Sequence, residues 1–255
     1  MARLSRLPIV KLIAPFLLFC VAGCSVPETP TDIHDPYESV NRSVHAFNKG
    51  LDRTLLRPVS QAYGTVLPAP IRNSVSNLSN NFRAPSLVVN DALQGKADDA
   101  VHNGFRFLLN SSLGVLGLFD VALSFGLEER YTDFGETLAV WGTPEGAYVE
   151  LPVLGPYTER SAVGWFVDVF TNPIGYAFPS NDLATARIVT YSGLVVNTRY
   201  LLTESIDSIL YDSADSYAQL RLFYLESSRF NLGEGEASAI DTEIYDDLYG
   251  DIFDE

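Results

Sequence analysis

Beyond its N-terminal segment the chain is a succession of apolar stripes at helical spacing. From Tyr37 the apolar positions recur at Val40, Val44, Phe47, Leu51 and Leu55, in steps of three and four that trace one helix face. Asp35, Pro36 and Glu38 supply the start signals: a capping carboxylate, a proline at the first helical position, and an acid three residues after the cap. Pro58 ends this helix or begins the next segment. Pro68-Ala69-Pro70 opens a second helix with Ile71, Val75, Leu78 and Phe82 on one face. Pro85 is expected to interrupt it before Leu87–Leu93 carries on to a stop at Gly95. Ala97–Asn110 repeats the design, with Asp98 and Asp99 at the positive end of the helix dipole and Val101, Phe105 and Leu108 as its stripe. Thr132–Glu136 caps a further helix that stops by Gly142. Gly146–Leu154 reads as a strand, kept short by Pro144, Pro152 and Pro156, and Val163–Phe170 as a helix. Asp182 starts the longest helix, about residues 183–212, with Ile188, Tyr191, Val195, Leu202, Ile206 and Ile209 as its buried face. Asp215 opens the last one, which runs to about Phe230, with Gly233 as its stop. The fold class is all-α with one small β-hairpin.

The longest apolar stretch, Phe105–Leu127, is impure in an informative way. Arg106, Asn110, Ser111, Ser112 and Asp120 lie inside it, and Gly114 and Gly117 loosen its middle. A membrane-spanning helix needs about 20 predominantly apolar residues with few or no charges. Polar groups at bilayer depth tend to face a protein interior or a watery path. The stretch therefore reads as a buried helical hairpin of a soluble core, or as two short helices in one leaflet with polar atoms toward an internal path.

The N-terminus decides the compartment. Arg3, Arg6 and Lys11 form a basic region, Leu12–Val21 an apolar one, and Ala22-Gly23 a small-residue cleavage site, so residues 1–23 read as a signal peptide. Val21-Ala22-Gly23-Cys24 resembles a bacterial lipobox, which makes Cys24 the acylated first residue of the mature protein. Cys20 leaves with the signal, so the mature chain has no second thiol for an internal disulfide. Ser25 next to the lipidated cysteine resembles the sorting residue of outer-membrane lipoproteins, and residues 24–34 read as a tether. An outer-membrane protein must also escape capture at the inner membrane, which fits interrupted amphipathic helices better than a clean span. No succession of alternating strands supports a barrel.

Charge narrows the partners. Of 17 basic residues three lie in the signal, leaving 14 against 32 acidic ones. That balance excludes nucleic acid and a polybasic grip on anionic lipid, so membrane contact has to be apolar. Residues 35–232 form the helical domain, and residues 233–255 a strongly acidic tail. From Glu234 the tail carries nine acids and no base, yet Ile240, Ile244, Leu248 and Ile252 recur every fourth residue. The expectation is a segment disordered alone that folds against a basic groove on a partner such as a periplasmic carrier.

DPYESVNR (Asp35–Arg42), RPV (Arg57–Val59), FRFLLNSSLGVLGLFDVA (Phe105–Ala122), DFGETLAVWG (Asp133–Gly142) and YVELPVLGPYTERS (Tyr148–Ser161) resemble the MlaA/VacJ family of outer-membrane lipoproteins. The resemblance implies a ring-like helical protein held in the periplasmic leaflet of the outer membrane and associated with trimeric porins. It implies an amphipathic channel through which phospholipids misplaced in the outer leaflet pass to a periplasmic carrier. No cofactor is implied beyond the covalent lipid on Cys24. A channel with one polar and one apolar wall lowers the barrier to moving a headgroup, and Asn110, Ser111, Ser112 and Asp120 are the candidate path residues. Each has an alternative role in capping and turns around Gly114. The hairpin Tyr148–Tyr157 and Asp168 are candidates to gate or line the path.

Enzyme chemistry is disfavoured. There is no G-x-S-x-G elbow. Asp98 and His102 share a helix face with no third ligand nearby, so they read as a surface pair. A scaffold lipoprotein that binds porins or other envelope machinery without transporting lipid is the alternative function.

Overall fold

The computed structural model describes residues 33–233. The signal peptide, Cys24, most of the tether and the acidic tail lie outside them. Helix α1 (Glu38–Leu51) passes through a five-residue π-turn (Asp52–Leu56) into α2 (Arg57–Val66). The wide turn sits just ahead of Pro58, which has no N–H to continue the ordinary ladder. Then come α3 (Ala69–Leu93), α4 (Ala97–Ser112), the short α5 (Val121–Ser124) and α6 (Phe134–Val140). Strands β1 (Tyr148–Leu151) and β2 (Gly155–Thr158) pair antiparallel, Tyr148 opposite Thr158. The chain closes with α7 (Glu159–Thr171), α8 (Pro173–Ala177), α9 (Asn181–Leu201), α10 (Thr203–Asp207), a second π-turn (Ser208–Asp212) and α11 (Ser216–Asn231).

The fold is helical with one small hairpin, and its elements pack in a closed circuit. Helix α3 touches α4, α6 and α9; α6 packs on α7, α7 on β2, and β2 on α11. From α11 the contacts return through the second π-turn and α10 to α9. No helix among the described residues is long and apolar enough to cross a membrane.

Three boundaries differ from the sequence expectation. Asp35 does not cap α1: its carboxylate takes Tyr217, Arg221 and Asn41 instead, and Tyr37 occupies the cap position without a side-chain bond. Helix α3 runs unbroken through Pro85. Packing against α4 on one side and α9 on the other outweighs a proline cost of about 3 kcal/mol. The expected helix 183–212 is capped by Ser180 rather than Asp182 and breaks at Leu202, so that α3, at 25 residues, is longer than α9, at 21. The break lets Asp207 turn back to Arg199, 2.6 Å away.

The larger correction concerns polarity: Ile188 and Tyr191, expected on the buried face of the longest helix, face outward. The apolar stripes of α1 and α4 face outward too. Val40, Phe47 and Leu55 on α1 and its π-turn, Val101, Phe105 and Leu108 on α4, and Ile188 and Tyr191 on α9 are all more than half exposed. The buried rows are the polar ones at the same helical period. Asn41, His45 and Asp52 are buried along α1, Ser79, Ser86 and Asn90 along α3, and Asn103, Arg106 and Asn110 along α4. One small apolar cluster is Tyr148, Tyr217 and Leu225, and Leu87, Leu138 and Val167 are buried outside it.

Polar bonds hold the circuit together. Asn41 exchanges two bonds with β1, to Tyr148 O and from Glu150 N–H, both 3.0 Å. His45 bridges Glu150 (Nδ1 to Oε1, 3.1 Å) and Ser216 (Nε2 to Oγ, 3.0 Å), tying α1 to the hairpin and to α11. Arg199, only 3% exposed, donates to Asp52 at 2.7 and 3.0 Å as well as to Asp207, so one guanidinium joins the first π-turn and α10 to α9. Burial pushes the Asp52 carboxyl up, but the Arg199 and Tyr211 hydrogen bonds win and hold it below the usual range.

Candidate functional site

The central stretch folds back on itself. Helix α4 ends at Ser112, a run of turns covers residues 113–119, and α5 starts after Asp120. Gly114 has no room for a side chain: a Cβ would stand 2.2 Å from Phe119 O and 2.5 Å from Asn110 O. Gly117 has φ +97° and presses on Asn81. Between them Val115 and Leu116 hold positive φ, a costly state for branched apolar residues. Asn81 pins this loop from α3, donating to Leu116 O and Ser111 Oγ, both at 3.0 Å. The loop tip is apolar and open: Leu113, Val115, Leu116 and Phe119 are 55–70% exposed.

Asp120 caps α5, accepting from Leu123 N–H at 3.1 Å, and it also accepts from Arg106 at 2.8 Å and Asn110 at 2.9 Å. The Asn110 carbonyl in turn accepts from Ala122 N–H at 2.9 Å. Asn110, Ser111 and Asp120 thus meet in one seam between α3, α4 and α5. Ser112 does not join it: its hydroxyl donates to Leu108 O at 2.6 Å on its own helix. Asn77, Asn80, Asn81, Asn103, Arg106 and Glu129 help line a cavity of about 20 Å³ in the seam, room for about one water. Arg106 Nη1 and Asn81 Oδ1 are buried there with no hydrogen-bond partner among the described residues.

Asp168 lies apart on α7. It accepts from Asn90 (2.9 Å), Ser86 (3.1 Å) and Phe134 N–H (2.8 Å), and so fastens α7 to α3 and to the start of α6. Burial pushes its carboxyl up, against those three donors. The two groups share only α3, whose polar face meets the seam through Asn81 and Asp168 through Ser86 and Asn90. That face went unread in the sequence, although Arg72, Ser76, Ser79, Arg83, Ser86 and Asn90 stand at steps of three and four. Elsewhere, Asp98 pairs with Arg130 at 2.6 Å while His102 Nε2 lies 2.7 Å from Glu128 O, so the two do not converge. No cluster of metal-ligating side chains occurs among the described residues.

Three comparisons agree. The model of the MlaA lipoprotein family matches residues 33–231. The Escherichia coli intermembrane phospholipid transport system lipoprotein MlaA is 34% identical over 206 residues, 79% of this chain and 80% of that one. The Haemophilus influenzae protein of the same name is 26% identical over 253 residues, 95% and 98% of the two chains. A solved structure, described as a structural basis for maintenance of bacterial outer membrane lipid asymmetry, superposes with a TM-score of 0.67 at 34% identity, covering 78% of this chain and 98% of its own. With the whole helical domain matched in sequence and in fold, this chain belongs to the MlaA lipoprotein family.

Proposed function

We propose that this chain is an outer-membrane lipoprotein that takes mislocalised phospholipids from the outer leaflet and passes them to a periplasmic carrier, maintaining lipid asymmetry. The observation that carries this reading is the inverted polarity of its helices. Large apolar side chains stand outward on α1, α4 and α9 while asparagine, serine and arginine fill the interior. In water so much contiguous exposed apolar surface marks a membrane or partner contact. In hydrocarbon it is the ordinary arrangement, with polar groups turned inward. Acyl chains on Cys24 hold the domain in the periplasmic leaflet, and no cofactor or bond-breaking step is needed.

The polar seam of Asn110, Ser111 and Asp120, with Ser112 at its edge and Asp168 beyond α3, is the wet wall we assign to the path. Its cavity admits a water and no headgroup as it stands, so passage requires α4–α5 and α3 to part. A trimeric porin against the apolar belt and a basic groove that receives the acidic tail are the partners this reading includes. The test is deletion of the gene in its host, followed by measurement of surface-exposed phospholipid and detergent sensitivity. Both rise if the protein clears the outer leaflet; an unchanged outer leaflet favours the non-transporting scaffold.

A further inference from the structure

A second, half-open cavity lies away from the seam, between α8 and the first turns of α9. Its volume is about 290 Å³, and Gly175, Phe178, Pro179, Leu183, Ala184 and Arg187 line it together with Ser180 and Asn181. That is near the lower end of small-ligand pockets, about 300 Å³. Phe178, Pro179, Leu183 and Ala184 give it apolar walls, Ser180 and Asn181 neutral polar ones, and Arg187 its one cation. Arg187 makes no ion pair among the described residues, and burial alone lowers the proton affinity of its guanidinium. Asp182, the acid of the same helix turn, does not line the cavity. Gly175 belongs to the arrangement, because a Cβ there would stand 3.0 Å from Arg187 Nη1. The residues around the mouth are exposed and greasy: Tyr176 at 72%, Phe178 at 65% and Ile188 at 67%.

A cleft that sets one guanidinium without a carboxylate partner beside Phe178, Leu183 and two neutral polar residues matches an amphiphile whose head is an anion. We propose that this cavity is a binding station for a glycerophospholipid, its phosphodiester on Arg187 and its acyl chains leaving over Phe178 and Ile188 into the surrounding hydrocarbon. A guanidinium presents paired N–H donors that suit a phosphate, and it keeps its charge in an apolar setting. Free phosphate would satisfy the cation but leave the apolar rim without a role. The proposal rests on the reading that the protein handles phospholipid and adds where one molecule is held and by which side chain.

The test uses the full lipid-anchored protein with a photoreactive phenylalanine analogue at Leu183, and in a second preparation at Ser112. Both are reconstituted with vesicles of phosphatidylethanolamine and phosphatidylglycerol carrying radiophosphorus-labelled lipid. The expected result is a labelled adduct at position 183 that falls about tenfold in Arg187→Gln, the loss of a charge-assisted bond, and is largely kept in Arg187→Lys. Gly175→Leu, which crowds the guanidinium, also lowers it. Thermal unfolding close to wild type shows that the variants fold. An adduct at 183 indifferent to Arg187→Gln overturns the station, as does an adduct at 112 with none at 183. Loss of the adduct on adding inorganic phosphate also overturns it, since free phosphate is then the ligand. No adduct at either position sinks the phospholipid reading itself.

Discussion

Leu108→Asp tests the outward stripe of α4 directly. Leu108 is 62% exposed and stands one turn from Phe105 at 53%. Moving most of a leucine side chain from water into hydrocarbon contributes about 1–2 kcal/mol. An aspartate at membrane depth costs about 2.5–3.5 kcal/mol at the bilayer centre, and less in a single leaflet. Together they weaken partition by about 3 kcal/mol, or roughly a hundredfold. The same substitution at a water-exposed site moves stability by no more than about 0.5 kcal/mol. The assay is flotation with vesicles of the protein expressed without residues 1–23 and carrying Cys24→Ser, so that no acyl chain masks the effect. Unfolding in detergent, followed by circular dichroism, checks that the fold survives. If Leu108→Asp floats like the parent, α4 does not face hydrocarbon and the inverted-polarity argument fails.

The remaining predictions concern the interior. Arg199→Met leaves the buried Asp52 carboxylate with only the Tyr211 hydroxyl, while Asp207 keeps Arg57, and should cost about 3–5 kcal/mol in denaturant unfolding; adding Asp52→Asn should restore part of it. Asp120→Asn removes the partner of Arg106 and should lower unfolding stability and raise surface phospholipid together, whereas Ser112→Ala, whose hydroxyl bonds only its own helix, should stay within about 0.5 kcal/mol. Glu136 is pushed up to about 7 from 4.5 by burial and by Asp133, so the folded state holds its proton where the unfolded chain has released it. That stabilisation is complete below about pH 4.5 and is lost as pH rises through about 7. Glu136→Gln should therefore flatten the fall in melting temperature between pH 5 and 8, and an unchanged slope refutes the assignment.

Helix starts and stops were the most legible features of the chain. Asp133 and Asp215 cap α6 and α11 as their sequence context implies, and Gly95, Gly142 and Gly233 take the positive φ that ends a helix. Which face is buried was not legible. Val40-Val44-Phe47 and Asn41-His45-Asn48 have the same period, and only on the helix after Asp182 was the apolar row read as buried, which holds only with water outside. Asp35 shows a second limit: its local context says cap, but Tyr217 and Arg221, 182 and 186 residues away, claim the carboxylate. The lipid-path residues were chosen as polar interruptions of an apolar run. Three of them meet in a seam, but nothing local could show that Arg106 and Asn81 would be drawn into it.

The polar interior bears on how such a protein can be both held together and able to open. Inside hydrocarbon, apolar side chains gain nothing by leaving lipid for one another, so helix association has to come from packing and hydrogen bonds. The bonds through Arg199, His45 and Asn41 do this around the hairpin, the π-turns and α11. A path for headgroups needs the opposite: polar atoms whose bonding is incomplete, so that an incoming phosphate or ammonium replaces a weak arrangement rather than a saturated one. The α3–α4 seam has that character, with Asn81 Oδ1 and Arg106 Nη1 unpartnered beside a strained loop at Val115–Leu116. Relieving that strain by Leu116→Gly should loosen the loop from Asn81 and change lipid flux more than stability. Arg199→Met should do the reverse. Arg199 Nη1 is also without a partner among the described residues, so locks and gate separate by the strained loop that adjoins the seam rather than by how fully their hydrogen bonds are satisfied.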